Sequence, residues 1–490
     1  MDFSKTLTAV LFVLAVALPL SAFESADRIL AGRMKTPLLT GKGAFTGEGP
    51  CWYAAFGMGA FVDSFKATKD VSYLDAGVKY YDALISKMYP APDGYKGWVG
   101  PYMYDGKFLA DVHVGDGILI NQMLDFSETV LKSGDEKLRQ KYGEKANSYV
   151  DLAKKHLIEK YDKRGTWIDN GAYGNYVSWD RYMTPENTKE WKKMPEVQNS
   201  ALTLPFNKNM VMGIAALRIY RITGQDFYRE KALKIFNMFK SRLSLFEDHY
   251  VWSYWEPYGS WDIASLEKND LRHWVNVHPF RNYQEGEVQY ITEAYHSGIT
   301  FTKEDMQRIV NTNIKMYRGG KEWVNSNNAV RAAAKIKMTQ AVSESKEKAG
   351  TLWGALTEFD QTLAKAAGKT ASNTGFKRSY AGLPVTDFVF PFNSNKYLTM
   401  VCLLPAEIES GREIIIVSKS IVPGDIEISL YSADGSKKII EIFKGKTSGG
   451  PDGKEGLLLI KWNAKDTATG KYRVRWTLNE EYRDALLTVR

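Results

Sequence analysis

Four side chains that can move protons or neutralise an anion lie within one eleven-residue segment: His273, His278, Arg281 and Tyr283. Only six histidines occur in the whole chain, so two in this segment are a local concentration. Histidine titrates near neutral pH, arginine presents a planar fork of donors to an anion, and tyrosine can accept and return a proton. This set suits proton transfer at a carbon atom beside a carboxylate.

An aromatic run, Tyr250-Val-Trp-Ser-Tyr-Trp255, precedes that segment. Aromatic rings pack against the apolar faces of sugars, so we expect Trp252, Trp255 and Trp98 to line a substrate cleft. The chain also has 65 Lys and Arg against 57 Asp and Glu, a formal net charge of +8. Such a mild basic excess favours the approach of an anionic substrate. These features predict an acidic polysaccharide as the partner, and no nucleic-acid motif is present.

A polymer of uronic acids can be cleaved without water, by β-elimination. A base removes the C5 proton, the carboxylate absorbs the developing charge, and the O4 leaving group departs with a proton. A neutral or cationic donor must therefore face the carboxylate, and a Tyr or His must move the proton. We assign proton transfer to Tyr283, the clamp on the carboxylate to Arg281 and assistance in neutralisation to Asn207. His273 or His278 would be the base or the neutraliser.

Two further residues are predicted to contact substrate. His113 comes just before an apolar helix, and the alternative for it is a capping or buried structural role. Asn209 shares a helix entry with Asn207.

The same segments allow two other chemistries. A glycoside hydrolase needs two opposed carboxylates, for which Glu256, Asp262, Asp169 and Asp180 are available. A metal site formed by His273, His278 and Glu287 matches no zinc spacing. We therefore expect no metal and no cofactor.

The pattern of apolar residues divides the chain into two parts. From about residue 50 to 370 they recur every three or four positions, in pairs of helices separated by aromatic loops such as 165–173. This predicts a mainly α fold, an α/α toroid (a barrel of helical hairpins) over 23–375, with an open superhelical solenoid as the alternative.

From residue 395 the period changes to two. An immunoglobulin-like β-sandwich is therefore predicted for 395–490. Its expected strands are 397–404, 412–420, 425–432, 437–444, 456–463, 471–478 and 484–489.

Residues 7–20, LTAVLFVLAVALPL, form an apolar run too short for a comfortable membrane span. Lys5 before it and small residues after it predict a signal peptide, residues 1–22, cleaved near Ala22. We expect a secreted or periplasmic protein without membrane insertion. Cys51 and Cys402 are the only cysteines. In an oxidising compartment they would form one disulfide between domains or remain as two thiols.

Three motifs carry a resemblance to a known group: Glu196-Val-Gln-Asn-Ser-Ala-Leu-Thr-Leu-Pro-Phe-Asn207, Tyr220-Arg-Ile-Thr-Gly-Gln-Asp-Phe-Tyr228 and Tyr250-Val-Trp-Ser-Tyr-Trp255. They resemble secreted bacterial α/α-toroid polysaccharide lyases of the alginate and glucuronan type. The helices are also similar to those of glucuronyl C5-epimerases. The resemblance covers roughly residues 50–320, and the stretch from His273 to Tyr283 looks like a lyase active-site loop.

The resemblance implies that Asn207, His273, Arg281 and Tyr283 are the neutraliser, proton-transfer and clamp residues. Better-known toroid lyases separate their arginine and tyrosine by about two helical turns. Arg272, eleven residues before Tyr283, is therefore the alternative arginine.

The expected function is that of a lyase acting on a 1,4-linked uronic-acid polysaccharide, with alginate rich in mannuronate first and glucuronan second. The alternatives are a uronyl C5-epimerase, a glycoside hydrolase and a non-catalytic glycan-binding protein.

Overall fold

The computed structural model describes twelve stretches of the chain: residues 51, 54–55, 58–91, 93–98, 113–179, 201–272, 282–315, 317–318, 322–323, 353–368, 397–450 and 454–490. These residues divide into two compact units. The first contains the described residues up to Lys163 together with Arg218–Gln225, and the second contains the remainder.

The first unit is mainly helical. Its elements are α1 (Gly59–Thr68), α2 (Ser72–Ile85), β1 (Tyr89–Pro90), β2 (Lys96–Gly97), α3 (His113–Leu131), α4 (Glu136–Ala153), a π-helical turn (Lys154–Glu159) and α5 (Lys160–Lys163). Helix α4 begins where the Asp135 carboxylate accepts hydrogen bonds from the backbone N–H groups of Lys137 and Leu138. These bonds satisfy donors that the helix itself leaves without partners.

Aromatic side chains form the core of the first unit. The ring of Tyr81 makes edge-on contacts with Phe61, Phe126 and Tyr149, with centroid distances of 6.0, 5.9 and 5.8 Å. A β-carbon at Gly77 would lie 3.3 Å from that of Phe61, so a glycine here lets α1 and α2 approach closely. The α1/α2 and α3/α4 pairs are therefore held together by edge-to-face ring packing as well as by apolar burial.

Helices and short strands alternate in the second unit before its C-terminal sheets. The elements are β3 (Trp167–Asn170), β4 (Tyr173–Trp179), β5 (Ala201–Thr203), α6 (Phe206–Thr223, whose last turn belongs to the first unit), α7 (Asp226–Ser241), β6 (Ser244–Phe246), β7 (His249–Val251), a 3₁₀ turn (Ser260–Asp262), β8 (Ile263–Ser265), β9 (Asp270–Leu271), α8 (Asn282–His296), α9 (Lys303–Lys315), β10 (Tyr317–Arg318), β11 (Glu322–Trp323), a second 3₁₀ turn (Gly354–Leu356) and α10 (Gln361–Gly368).

The C-terminal residues form two sheets with a shared core. Their strands are β12 (Leu398–Leu404), β13 (Glu407–Ile408), β14 (Glu413–Ser420), β15 (Gly424–Ser432), β16 (Lys438–Thr447), β17 (Leu457–Asn463), β18 (Gly470–Leu478) and β19 (Glu481–Val489). One sheet has the order β12-β14-β17 and the other β13-β19-β18-β15-β16. The short β13 pairs parallel to β19, and the other pairs are antiparallel. Inward side chains of both sheets, such as Ile416, Ile428 and Trp476, build the core.

The prediction of a mainly α protein built on an α/α toroid is wrong. The described residues are about 46% helix and 27% strand, and sheets lie between the helices as well as after them. The stretch 165–173, predicted as an aromatic loop, contains β3 and the start of β4, with Trp167 paired opposite Tyr176. Aromatic residues favour strands as well as clefts, and a strand of three to seven residues leaves no trace in a helical periodicity.

No helix in the ranges given above combines the length and the apolar character that a membrane crossing requires.

Candidate functional site

A wholly buried glutamate on α8 is the centre of the candidate site. Glu287 is 1% exposed, and its Oε2 accepts a hydrogen bond from Trp252 Nε1 at 2.8 Å. The backbone N–H of Asn207 also donates to the carboxyl group. Oε1 of Glu287 and Oδ1 of Asn207 are both buried, and neither has a hydrogen-bond partner among the residues that the structure describes. We call Asn207, Trp252 and Glu287 the Glu287 cluster.

Burial keeps a proton on this carboxyl group. Removal from water raises the pKa of Glu287 to about 8, and the hydrogen bonds from Trp252 and Asn207 offset only part of that effect. No charged group among the described residues contributes to the shift. At neutral pH Glu287 is therefore a neutral acid that can donate a hydrogen bond through its free oxygen.

The two hydrogen-bond donors to Glu287 are held in place by the elements around it. Asn207 lies in the first turn of α6, where backbone N–H groups have no partner within the helix. Trp252 directly follows β7, and its ring packs 5.8 Å from that of Phe239 and 5.8 Å from that of Trp353. Both donors are thus fixed by secondary structure and by ring packing.

Of the residues predicted to be catalytic, the structure places Asn207 in this cluster. Tyr283 lies in the first turn of α8, four residues before Glu287. His273, His278 and Arg281 lie outside the described residues.

Asn209 holds two backbone segments together. Its Oδ1 accepts from the Tyr176 N–H at 2.7 Å, and its Nδ2 donates to the Leu204 carbonyl at 2.9 Å. The side chain is 1% exposed. Its amide is thereby occupied in linking α6 to β4, which leaves it little capacity for the predicted substrate contact.

The three tryptophans predicted to stack on sugar are core residues. Trp255 is 0% exposed and donates to the Thr203 carbonyl at 2.7 Å. Its ring shares an apolar cluster with Met400 and Cys402 of β12. Trp98 is buried and donates to the Leu84 carbonyl at 2.8 Å, and Trp252 is buried in the Glu287 cluster. None of these three rings offers an exposed face for stacking.

The two remaining predicted contacts lie in different units. His113 is buried in the first unit and stacks on Tyr161, with ring centroids 3.7 Å apart and an interplanar angle of 22°. Arg272 is exposed in the second unit, and its Nη1 donates to the Trp261 carbonyl at 3.0 Å.

A second buried glutamate lies between two arginines. Glu256 is 1% exposed, and its Oε2 is 3.9 Å from Nε of Arg242. Arg483, also buried, donates to Ser244 Oγ at 2.7 Å and to the carbonyls of Leu398, Arg242 and Leu243. We call Arg242, Glu256 and Arg483 the arginine cluster. Both arginines line a cavity of about 40 Å³.

In the arginine cluster, burial and the neighbouring positive charges have opposite effects on the pKa of Glu256. Burial raises the pKa of Glu256 to about 7, and the positive charges of Arg242 and Arg483 limit the rise. Burial also lowers the pKa of Arg483 to about 10. Sequence patterns gave no indication of these arginines, because each is a single residue at the end of a helix or in a strand.

Asp262, one of the acids available for hydrolysis, has hydrogen-bond donors on both of its oxygens. Asp262 is 0% exposed and accepts hydrogen bonds from the Thr203 N–H and Oγ1, the Tyr258 N–H and the Gly259 N–H, at 2.9, 2.6, 2.8 and 3.1 Å. Four donors on one carboxylate mark a residue that organises the turn around it.

Cys51 and Cys402 are both buried and form no disulfide. Among the side chains that the structure describes, no group of three or more His, Cys, Asp or Glu could hold a metal ion. Comparison with known proteins found no matching family model, no matching curated protein and no matching solved structure.

Proposed function

We propose that this protein cleaves a 1,4-linked uronic-acid polysaccharide by β-elimination, with mannuronate-rich alginate as the first substrate and glucuronan as the second. The observation that carries the proposal is the buried Glu287 beside Asn207, whose pKa burial raises to about 8, in the helix whose first turn contains Tyr283. The secreted or periplasmic location predicted from residues 7–20 suits a polymer too large to enter a cell.

The chemistry requires that the uronate carboxylate lose its charge before the C5 proton can leave. Glu287 and Asn207 are buried, so this proposal requires that substrate binding expose them. Protonated Glu287 then donates a hydrogen bond to the substrate carboxylate, and Asn207 assists. Neutral donors in a site without water stabilise the charge that develops as the proton departs. A carboxyl group ionised at neutral pH would repel the same substrate, so the raised pKa of Glu287 supports this role.

Tyr283 is the proposed proton-transfer residue. The C5–H bond breaks and its electron pair forms the C4=C5 double bond, while the bond from C4 to the leaving oxygen breaks. The oxygen takes a proton, so an unsaturated end and a new hydroxyl end result. Arg281, or Arg272 in its place, would clamp the carboxylate, and His273 or His278 would serve as base or neutraliser.

Ultraviolet absorbance tests the reaction directly. The mature protein is mixed in turn with polymannuronate, polyguluronate, glucuronan, hyaluronan and chondroitin. A rising absorbance from a C4=C5 double bond would support elimination and identify the substrate class. Shortened chains without that signal would mean hydrolysis. Intact chains with solvent deuterium at C5 would mean epimerisation, and intact chains without deuterium would mean binding alone.

Substitution of Tyr283 tests its assignment. We expect Tyr283→Phe to lower turnover at least about a hundredfold, the usual contribution of a general acid or base. Tyr295→Phe is the matched control because Tyr295 lies in the same helix, against His296 and Phe359. Turnover that survives in Tyr283→Phe and matches the control would remove Tyr283 from the mechanism.

A further inference from the structure

An open groove of about 550 Å³ lies in the first unit, beside the end of α2 and the π-helical turn. One part of its wall is apolar and consists of Ile85, Met88 and Leu152. A groove of this size can hold a single ring with its substituents.

Two lysines against one acid, Asp151, give the groove a net positive charge. Lys96 and Lys155 both line it and are exposed. Neither ammonium group forms an ion pair with any residue in the described part of the chain. The neighbouring Lys160, in contrast, is buried and paired with Asp116 at 2.5 Å. The charge of Lys96 and Lys155 therefore remains available to a ligand.

His156 supplies a directed donor to the same groove. Its Nδ1 accepts a hydrogen bond from the backbone N–H of Lys96 at 3.1 Å. Burial, with the charges of Lys155, Lys160 and Lys96, lowers the pKa of His156 to about 4, and Glu159 opposes this only in part. The ring is therefore neutral at neutral pH, and its single proton is on Nε2, where it can be donated.

A rare backbone geometry presents these side chains. Lys155 and His156 belong to the π-helical turn Lys154–Glu159, which follows α4 without a break. Such turns are uncommon in helices and frequently occur at functional sites. This turn is thus a second feature, independent of the charges, that marks the groove.

The hydroxyl groups of the groove are acceptors. Ser86 Oγ donates to the Ala83 carbonyl and Ser148 Oγ donates to the Lys145 carbonyl, each at 2.7 Å. Their hydrogens are therefore in use, whereas the oxygen lone pairs can accept from a ligand. Asp151, the acid in the wall, is also an acceptor.

We propose that this groove binds an anionic sugar. The acid group would lie between Lys96 and Lys155, where His156 Nε2 can donate to it. The apolar face of the ring would pack on the aliphatic wall, and its hydroxyls would donate to the serine oxygens and Asp151. This inference uses no residue of the Glu287 cluster and does not depend on elimination. The acid group is a carboxylate or a phosphate, which share this chemistry.

Titration of the full chain with three sugars tests the proposal. Protein labelled in its histidines is titrated with glucuronate, glucose 6-phosphate and uncharged glucose, and the ring signals of His156 are identified through His156→Gln. We expect saturable shifts with one or both acids, and none with glucose over the same range. The tighter of the two acids identifies the acid group. A bound anion should also raise the pKa of His156 towards its ordinary value. It would act in the same direction as the acids Glu159 and Asp151. The three lysines act in the opposite direction: Lys96, Lys155 and Lys160.

Lysine variants locate the bound acid. We expect Lys155→Ala to weaken binding roughly three- to tenfold, as the loss of one charged contact at a partly exposed site does. Lys154→Ala is the control, because Lys154 lies in the same turn but does not line the groove. The proposal would be overturned if neither acid shows saturable binding, if glucose binds as well as the acids, or if the two lysine variants have equal effects. These outcomes are independent of the absorbance assay for elimination.

Discussion

Two buried glutamates in the second unit have raised pKa values for the same reason but differ in their neighbours. Glu287 has the Trp252 indole and the Asn207 N–H as donors, and in the described part of the chain no charged group contributes to its pKa of about 8. Glu256 lies beside Arg242 and under the influence of Arg483, and its pKa is about 7. Desolvation is the largest cause of the raised pKa in both glutamates.

The difference separates a structural acid from a candidate catalytic one. Arg483 donates to four groups of the surrounding chain, so the arginine cluster joins α7 and β6 to strands β12 and β19. Both acids keep buried oxygens without a hydrogen bond to a described residue, one in Glu287 and two in Glu256. They differ in their charged neighbours: Arg242 and Arg483 act on Glu256, whereas no described charged residue acts on Glu287. A shifted pKa alone does not identify a site, since ion pairs also perturb pKa values. The neighbours decide which glutamate is free to act.

The largest expected effect on stability is the removal of a buried arginine. Arg483→Met should lower the free energy of unfolding by about 3–5 kcal/mol, because it leaves three buried carbonyl groups without their donor and removes one of the two cations that act on Glu256. Chemical denaturation measures it, with Arg412→Met as the control because Arg412 is exposed and pairs with Glu409 at the surface. A loss below about 1 kcal/mol would mean that the arginine cluster does not hold these elements together.

The pH dependence of stability is the next largest effect. The folded pKa of Glu287 lies above its ordinary value of 4.5, so the folded state binds the proton more tightly. The contribution of Glu287 to the free energy of unfolding is therefore fully present below about pH 4.5. It falls by about 1.4 kcal/mol per pH unit as the pH rises towards about 8. Glu287→Gln should remove this contribution.

Glu256 provides the internal comparison for that measurement. In Glu287→Gln the remaining dependence from Glu256 should end at about pH 7, where its own pKa lies. Denaturation curves at several pH values between about 5 and 9 would show the difference. Parallel curves for the wild type and the variant would mean that Glu287 is ionised in the folded protein at neutral pH.

The smallest effect is expected from the indole donor. Trp252→Phe keeps a ring but loses the hydrogen bond to Glu287 Oε2, which should lower stability by about 1–3 kcal/mol. It should also raise the pKa of Glu287 further, because a donor that favours the charged form is removed. Trp462→Phe, on the C-terminal sheets, is the control. An unchanged pKa of Glu287 would show that Trp252 does not set it.

Local signals in the sequence predicted individual elements well. Thr302 and Asp305, three residues apart as in a capping box, start α9: Thr302 Oγ1 accepts from the Asp305 N–H and Asp305 Oδ2 accepts from the Thr302 N–H. Gly224 follows α6 with a positive φ of 74°, a conformation that glycine commonly adopts where a helix ends. The period of two places the strands after residue 395 within about three residues of their observed ends.

The site was harder to predict, because burial is not a property of residue type. Trp255 and Asn209 have the chemistry of a sugar site, but tertiary packing uses both in the interior. Glu287 was considered only as a metal ligand. Its signal was present: it lies beside Val288 and four residues before Ile291, both buried in the apolar face of α8. A lone acid in such a face predicts a shifted pKa.

The formation of unsaturated product by two variants tests most directly whether Glu287 is part of an elimination site. Glu287→Ala removes the neutral acid from the Glu287 cluster, and Glu256→Gln changes the other buried acid while preserving its shape. With polymannuronate as substrate, we predict that Glu287→Ala lowers the rate of absorbance increase at least about a hundredfold. This is the usual effect of removing a hydrogen-bond donor that stabilises the charge developing in the transition state. Glu256→Gln should keep the wild-type rate wherever it is folded. Equal rates in the two folded variants would contradict the account.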